Sequence, residues 1–346
     1  MAKTPHASDK RTVNLALQGG GAHGAFTWGV LDRLLEDERI AIEGISGTSA
    51  GAINAAVLSQ GHLKGGAAGA RAELDLFWHG LSKMGWISPV HRGWYERAMG
   101  SWNIDDSPSA VFVDQLSRLV SPYQLNPLNL SPLRDLLKGM LDWSCLSSPH
   151  SIKLFITATS VRTGKPRVFA HHELTLDALL ASACLPQIFQ AVVIEGDAYW
   201  DGGYMGNPSI WPLIYHSRSR DVVIVQVNPL TREGVPRSAA EITNRLNEIT
   251  FNAALMSEMR AIAFAERLVT TDGKHSEIAR LKKMLIHMIG AEEAMETLGV
   301  ASKMNTDLDF LLHLKALGRR TAEEWLEKNF AALGQFSSLD VRQVFM

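Results

Sequence analysis

Five residues, Gly47-Thr48-Ser49-Ala50-Gly51, carry the clearest chemical signal in this 346-residue chain. They follow a short apolar run, Ile42 to Ile45, and open a small-residue helix expected over Ala50 to Gln60. A serine hydroxyl becomes a nucleophile only when it stands clear of the backbone and a base can reach it. A sharp strand-to-helix elbow meets the first condition, and glycines at 47 and 51 let strand and helix come close enough to form it. Attack on an ester carbonyl also needs fixed donors for the developing oxyanion. The loop Gly19-Gly20-Gly21-Ala22-His23-Gly24 can supply them, because Gly19, Gly20 and Gly21 have no side chains to block their amides. The amide of Ala50, at a helix N-terminus, adds to the set.

The base is the discriminating residue. A Ser-Asp-His hydrolase places its histidine late in the chain, after the acid. The late histidines here, His216, His275, His287 and His313, lie in helical or charged contexts without turn chemistry. Asp201 is the better candidate: it ends an expected strand in Trp200-Asp201-Gly202-Gly203, where two glycines free the backbone to bring its carboxylate to another loop. Asn207-Pro208 then stiffens the exit. His23 is the second candidate as a proton carrier, although a residue inside the donor loop more often props that loop.

These residues need a frame. Val13 to Gln18 reads as a buried strand, followed by the glycine loop and a helix from about Ala25 to Glu38 with Trp28, Leu31, Leu34 and Leu35 on one face. Strand, loop, helix, strand, elbow, helix implies a parallel sheet covered by helices. From about 61 to 149 the chain is rich in proline (Pro89, Pro108, Pro122, Pro127, Pro132, Pro149) and reads as an irregular or short-helical insertion. Trp78, Trp86, Trp94 and Trp102 recur there every eight residues with unmatched flanks, which suits core or lid packing better than a membrane belt. Strands are expected over Ile152 to Thr159 and Arg167 to Ala170, and a helix over Leu174 to Cys184 ended by Pro186. A hairpin, Ala191 to Glu195 and Ala198 to Trp200, turns at Gly196-Asp197. Val222 to Val227 is a β-branched run typical of a central parallel strand. Beyond Pro236 the pattern is almost wholly helical, with a long helix from about Ala239 to Val269; Leu281 to Ile289, with Lys282 and Lys283, reads as a solvated helix.

The ordered set Gly19-Gly20-Gly21-Ala22-x-Gly24, Gly47-Thr48-Ser49-Ala50-Gly51, Ala181-Ser182-x-x-x-Pro186 and Asp201-Gly202-Gly203 resembles the patatin-like phospholipases in order and spacing. Each motif is modest, and four in order are specific. The resemblance covers roughly residues 12 to 230. It implies a three-layer α/β/α catalytic domain over 12–230; the insertion at about 61–149 and the helical region over 236–346, expected to pack on that domain, are not covered by the motifs. It also implies a Ser49–Asp201 dyad in place of a triad, an oxyanion hole from the glycine loop, lipid acyl esters as substrates, and no metal or other cofactor. Ser182 and Pro186 would shape the wall of the site. One departure stands out: the family usually has Arg or Lys where this chain has His23, a residue thought to brace the oxyanion loop.

Two other readings remain open at this level. The same acyl-enzyme could pass to an alcohol, which would make the protein an acyltransferase. Gly19-x-Gly21-x-x-Gly24 is also formally a dinucleotide fingerprint, with Glu43 near the distance expected of a ribose-binding acid. Composition narrows the class further. A net charge of -2 argues against a nucleic-acid partner. Two cysteines, Cys145 and Cys184, give no disulfide framework. A polar start from Met1 to Arg11 and the lack of a long apolar run suit a cytoplasmic protein with at most transient membrane-surface contact.

Overall fold

The computed structural model describes residues 10–84, 90, 92–93, 96, 99–148, 152–271 and 283–346. The chain opens with β1 (Arg11–Leu17), a 3-10 turn over Gly21–His23, α1 (Gly24–Glu36), β2 (Ile40–Gly47) and α2 (Ala50–Lys83). The insertion carries α3 (Pro108–Leu119), α4 (Pro122–Leu125), α5 (Pro132–Met140) and α6 (Trp143–Leu146). Then come β3 (Lys153–Ser160), β4 (Pro166–Ala170), α7 (Leu176–Ser182), β5 (Val192–Ile194), β6 (Asp197–Asp201), α8 (Trp211–His216) and β7 (Asp221–Val225). The last part holds α9 (Ala239–Thr271), β8 (Leu285–Ile289), α10 (Glu292–Glu296), α11 (Leu308–Asn329) and α12 (Val341–Phe345).

Among the described residues, eight strands form one sheet in the order β5-β6-β3-β2-β1-β7-β8, with β4 also on β3. The centre, β3-β2-β1-β7-β8, is parallel, and the β5–β6 hairpin adds to β3 antiparallel. Alternation along the strands builds the three layers. Val13, Leu15 and Leu17 of β1, with Val223 and Val225 of β7, meet α1, α2 and α11 on one face. Ala16, Val222 and Ile224 meet α8, α9 and α12 on the other. Central strands are therefore buried on both faces, which is why they read as continuous β-branched runs.

Two segments differ from the sequence reading. The insertion is more regular at its start, because α2 runs on to Lys83 through a break at Gly65 and Gly66, the latter with φ 60°. The second leg is alanine-rich and a good helix former, and Gly61 and Gly69 let the two legs touch backbone to backbone. The C-terminal region is not all helix either. Leu285–Ile289, expected as solvated helix, is an almost fully buried strand paired in parallel with β7. Five apolar and polar residues without helical periodicity are too few to separate a short buried strand from a helix by pattern alone. Leu281 and Lys282 lie outside the described residues.

The C-terminal region is bound tightly to the rest. Gly29 of α1 and Gly318 of α11 face each other's helix so closely that a Cβ at either would run into a backbone carbonyl, of Lys315 or of Phe26. Asp32 of α1 pairs with Arg71 of α2 at 2.7 Å and with Arg319 of α11. Trp78, expected as core or lid packing, is buried, stacks on Trp28 at 6.0 Å and donates to Asn54 Oδ1 at 3.0 Å. Trp102 stacks against His313 and beneath Arg92. Trp86 and Trp94 lie outside the described residues.

Candidate active site

Strand register brings the two key residues to one level. Gly47 at the end of β2 pairs with Ile156 of β3, and Asp201 at the end of β6 pairs with Ala158, two residues further along β3. Ser49, two residues past Gly47, therefore arrives beside Asp201 above the carboxyl end of the sheet. Its backbone has φ 54° and ψ -123°, a conformation that costs on the order of 1–3 kcal/mol for a residue with a Cβ and persists only where its surroundings over-determine it. Here several contacts do so. A Cβ on Gly51 would collide with the Leu17 carbonyl, and one on Gly47 would sit 2.7 Å from the Gly51 carbonyl oxygen. The Ser49 amide donates to Ser182 Oγ at 2.9 Å, and Thr48 Oγ1 donates to the Gly206 carbonyl at 2.6 Å.

Asp201 is 1% exposed and Ser49 8% exposed. The Asp201 carboxylate accepts from the Gly203 amide at 2.7 Å, and the Ser49 side chain lies near enough to stabilise its charged form. Its own amide donates to the Cys184 carbonyl at 2.7 Å, so the turn that follows Ser182 also fixes the acid. Burial pushes the carboxyl up to about 7, against the Gly203 hydrogen bond, the Ser49 side chain and the charge of Lys303, which pull it down. A carboxylate in that range can hold or release a proton near neutrality.

The amides of the glycine loop are not all placed alike. The Gly19 amide donates to Asn207 Oδ1 at 2.7 Å, so it is spent on the scaffold and does not face the serine; Gly19 as a free donor is corrected. The amides of Gly20, Gly21 and Ala50 have no protein acceptor among the described residues. Ala22 is buried and Gly24 packs against Ala50. His23 is buried and hydrogen-bonded to Ser302 Oγ at 2.7 Å. Burial, then the Lys303 charge, hold its imidazole well below the usual histidine range. It is a neutral prop under the loop. Gly202 and Gly203 close onto the Thr157 carbonyl and the Phe251 ring, leaving no room for side chains. Pro186 lies in the turn after Ser182. Cys184, expected as a small buried residue, is buried, and burial raises its thiol to about 12.

The candidate ribose acid and the late histidines are engaged elsewhere. Glu43 is spent on Lys153 Nζ at 2.9 Å and on the amides of Arg218 and Ser219, and these contacts outweigh burial to bring it down to about 2. His216 stacks on Phe155 and His313 on Trp102. His287 contacts Asp221 Oδ1 at 3.1 Å and Ser338 Oγ at 2.9 Å. That chain resembles a triad but starts from the first residue of β7, at the opposite end of the sheet from Ser49. His275 lies outside the described residues. Among the described residues, no group of three His, Cys, Asp or Glu side chains could hold a metal ion, and no helix is long and apolar enough to cross a membrane.

Sequence reasoning missed an amide network beneath the loop. Gln18 Nε2 donates to the Asn207 carbonyl at 3.2 Å and to Asn252 Oδ1 at 3.1 Å, while its Oε1 accepts from the amides of Val227 and Asn228. Asn228 Nδ2 donates to the Gly19 carbonyl at 2.9 Å. A buried glutamine ending an apolar strand, and asparagines preceding Pro208 and Pro229, were the visible signals. Lys303, from the 3-10 turn Ala301–Met304, reaches Asn228 and Asn247 and left no signal at all.

No curated protein matches the chain in sequence. In structure it is similar to VipD from Legionella pneumophila, at 17% identity and TM-score 0.35, over 88% of this chain and 67% of that one. It is also similar to a chain of the ExoU–SpcU complex of the Pseudomonas aeruginosa type III secretion system, at 20% identity and TM-score 0.38 over 93% of this chain. This chain spans about half (52%) of that relative's length. The model of the patatin-like phospholipases matches residues 15–214, more than half of the sequence and every motif of the site. The chain is therefore a member of the patatin-like phospholipase family, a hydrolase of lipid esters.

Proposed function

We propose that the protein cleaves lipid acyl esters with a two-residue machine, Ser49 as nucleophile and Asp201 as its base. The observation that carries this reading is the strand register that sets a serine on a strained elbow beside a fully buried carboxylate, raised to about 7 by that burial. As Ser49 Oγ attacks the carbonyl carbon, its proton passes to Asp201 and the carbonyl oxygen takes the negative charge. The amides of Gly20, Gly21 and Ala50 receive that oxygen, Ala50 with the positive end of α2 behind it. Asp201 then protonates the departing alcohol, leaving Ser49 acylated. Water repeats the sequence with Asp201 as base and frees the fatty acid. Ser182 fixes the serine backbone, and Asn207 holds the loop through Gly19.

Fatty-acid release from a phospholipid and a lysophospholipid panel tests the reading. Ser49→Ala is expected to reduce release to background while the thermal transition stays cooperative. Release by Ser49→Ala at the wild-type rate would refute it.

A further inference from the structure

Lys303 sits where no motif reaches. Its Nζ donates to Asn228 Oδ1 at 2.9 Å and to Asn247 Oδ1 at 2.6 Å, and it lies 5.5 Å from the centre of the Phe251 ring. Among the described residues no carboxylate forms a salt bridge with it, so a crowded ammonium is held by two neutral amides. Its backbone is equally committed. A Cβ on Gly21, which has φ 57°, would strike the Lys303 carbonyl. The neighbour Ser302 holds His23, and Asn228 ties Lys303 to the Gly19 carbonyl. The cation is thus wired to both ends of the donor loop, while His23 within the loop is neutral.

We propose that Lys303 is the positioning cation of the site: with Asn228 and Ser302 it locks the glycine loop, and so the oxyanion donors beside Ser49, against the C-terminal region. This rests on the Ser49–Asp201 reading. The charged and titratable groups facing Lys303 are Asp201, Glu248, Asp105 and His23. Glu248 is bound to Arg232 at 2.6 Å and Arg245 at 3.1 Å, and Asp105 to Asn244 and the Ala301 amide, so neither pairs with it directly. Burial brings the ammonium down to about 8, opposed by Glu248, Asp201 and Asp105. The cation is lost just above neutrality, while the base is gained near 7.

The test is kcat and KM between pH 5.5 and 10 on an uncharged ester, p-nitrophenyl butyrate, for wild type, Lys303→Gln, Lys303→Arg and Ser49→Ala. Wild type is expected to give a bell with limbs near 7 and 8, read as values of the coupled groups. In Lys303→Gln, kcat falls roughly tenfold or more with KM changed less than about twofold, the alkaline limb vanishes, and the acid limb moves upward by about half a unit or more. In Lys303→Arg the acid limb stays and the alkaline limb moves beyond about pH 9.5, because a guanidinium does not titrate there. An alkaline limb unchanged in Lys303→Arg overturns the proposal, even if Lys303→Gln does not fold. Hydrolysis retained by Ser49→Ala sinks the underlying reading instead; loss in Ser49→Ala with lysine variants of wild-type profile sinks the Lys303 role alone.

Discussion

Asp201→Asn is expected to abolish turnover and to stabilise the protein above neutral pH. The carboxyl titrates about 3 units above its ordinary 3.8, at about 7 in the native state. Between about pH 4 and 7 the native protein therefore keeps a proton that the unfolded chain has released, and stability falls as pH rises through that window. Above 7 the charged, buried form costs about 4 kcal/mol, from roughly 1.4 kcal/mol per unit. Asparagine keeps an oxygen for the Gly203 amide and cannot ionise. Its new NH2 faces Ser49 Oγ, and imperfect pairing there offsets about 1–3 kcal/mol, leaving a net gain on the order of 2 kcal/mol at pH 8. For a chain of 346 residues that is roughly 3 °C in Tm. The gain should be about 2–3 kcal/mol larger at pH 8 than at pH 5, since the wild type carries most of its penalty only at the higher pH. Differential scanning calorimetry of both proteins at the two pH values measures it. An equal increment at both, or a variant less stable than wild type at pH 8, would refute the reasoning.

Two further outcomes follow from packing. Gly29→Ala or Gly318→Ala drives a Cβ into a facing backbone carbonyl at the α1–α11 crossing, and is expected to cost about 1–3 kcal/mol in urea unfolding with the slope unchanged; a midpoint equal to wild type would contradict that contact. Asn207→Ala removes the acceptor of the Gly19 amide and the donor to the Phe251 carbonyl. It should lower kcat roughly 10–100-fold with KM little changed, as expected when donors lose their aim; a change confined to KM would place Asn207 in substrate binding instead.

The catalytic frame was legible because its pieces are local. A strand, a glycine loop, a helix and an elbow each leave a mark within a dozen residues, and β1, α1, β2 and the hairpin bearing Asp201 all formed within a few residues of expectation. What was not legible depends on distant parts of the chain. β8 is a strand because β7 offers it an edge and α11 and α12 cover it, information absent from Leu285–Ile289 itself. Gly19 looked like a donor on spacing, and only the fold could put Asn207 in front of its amide. Lys303 stands 280 residues after His23 in sequence and looks like any surface lysine until the turn at 301–304 docks on the loop.

The pairing of Ser49 with Asp201 is tested most directly by the site and rate of phosphonylation with a fluorophosphonate, followed by intact mass and peptide mapping. The expected result is one adduct per chain on Ser49, formed at least about a hundredfold more slowly in folded Asp201→Asn. An adduct on another residue, or labelling of Ser49 at the wild-type rate without the carboxylate, would contradict it.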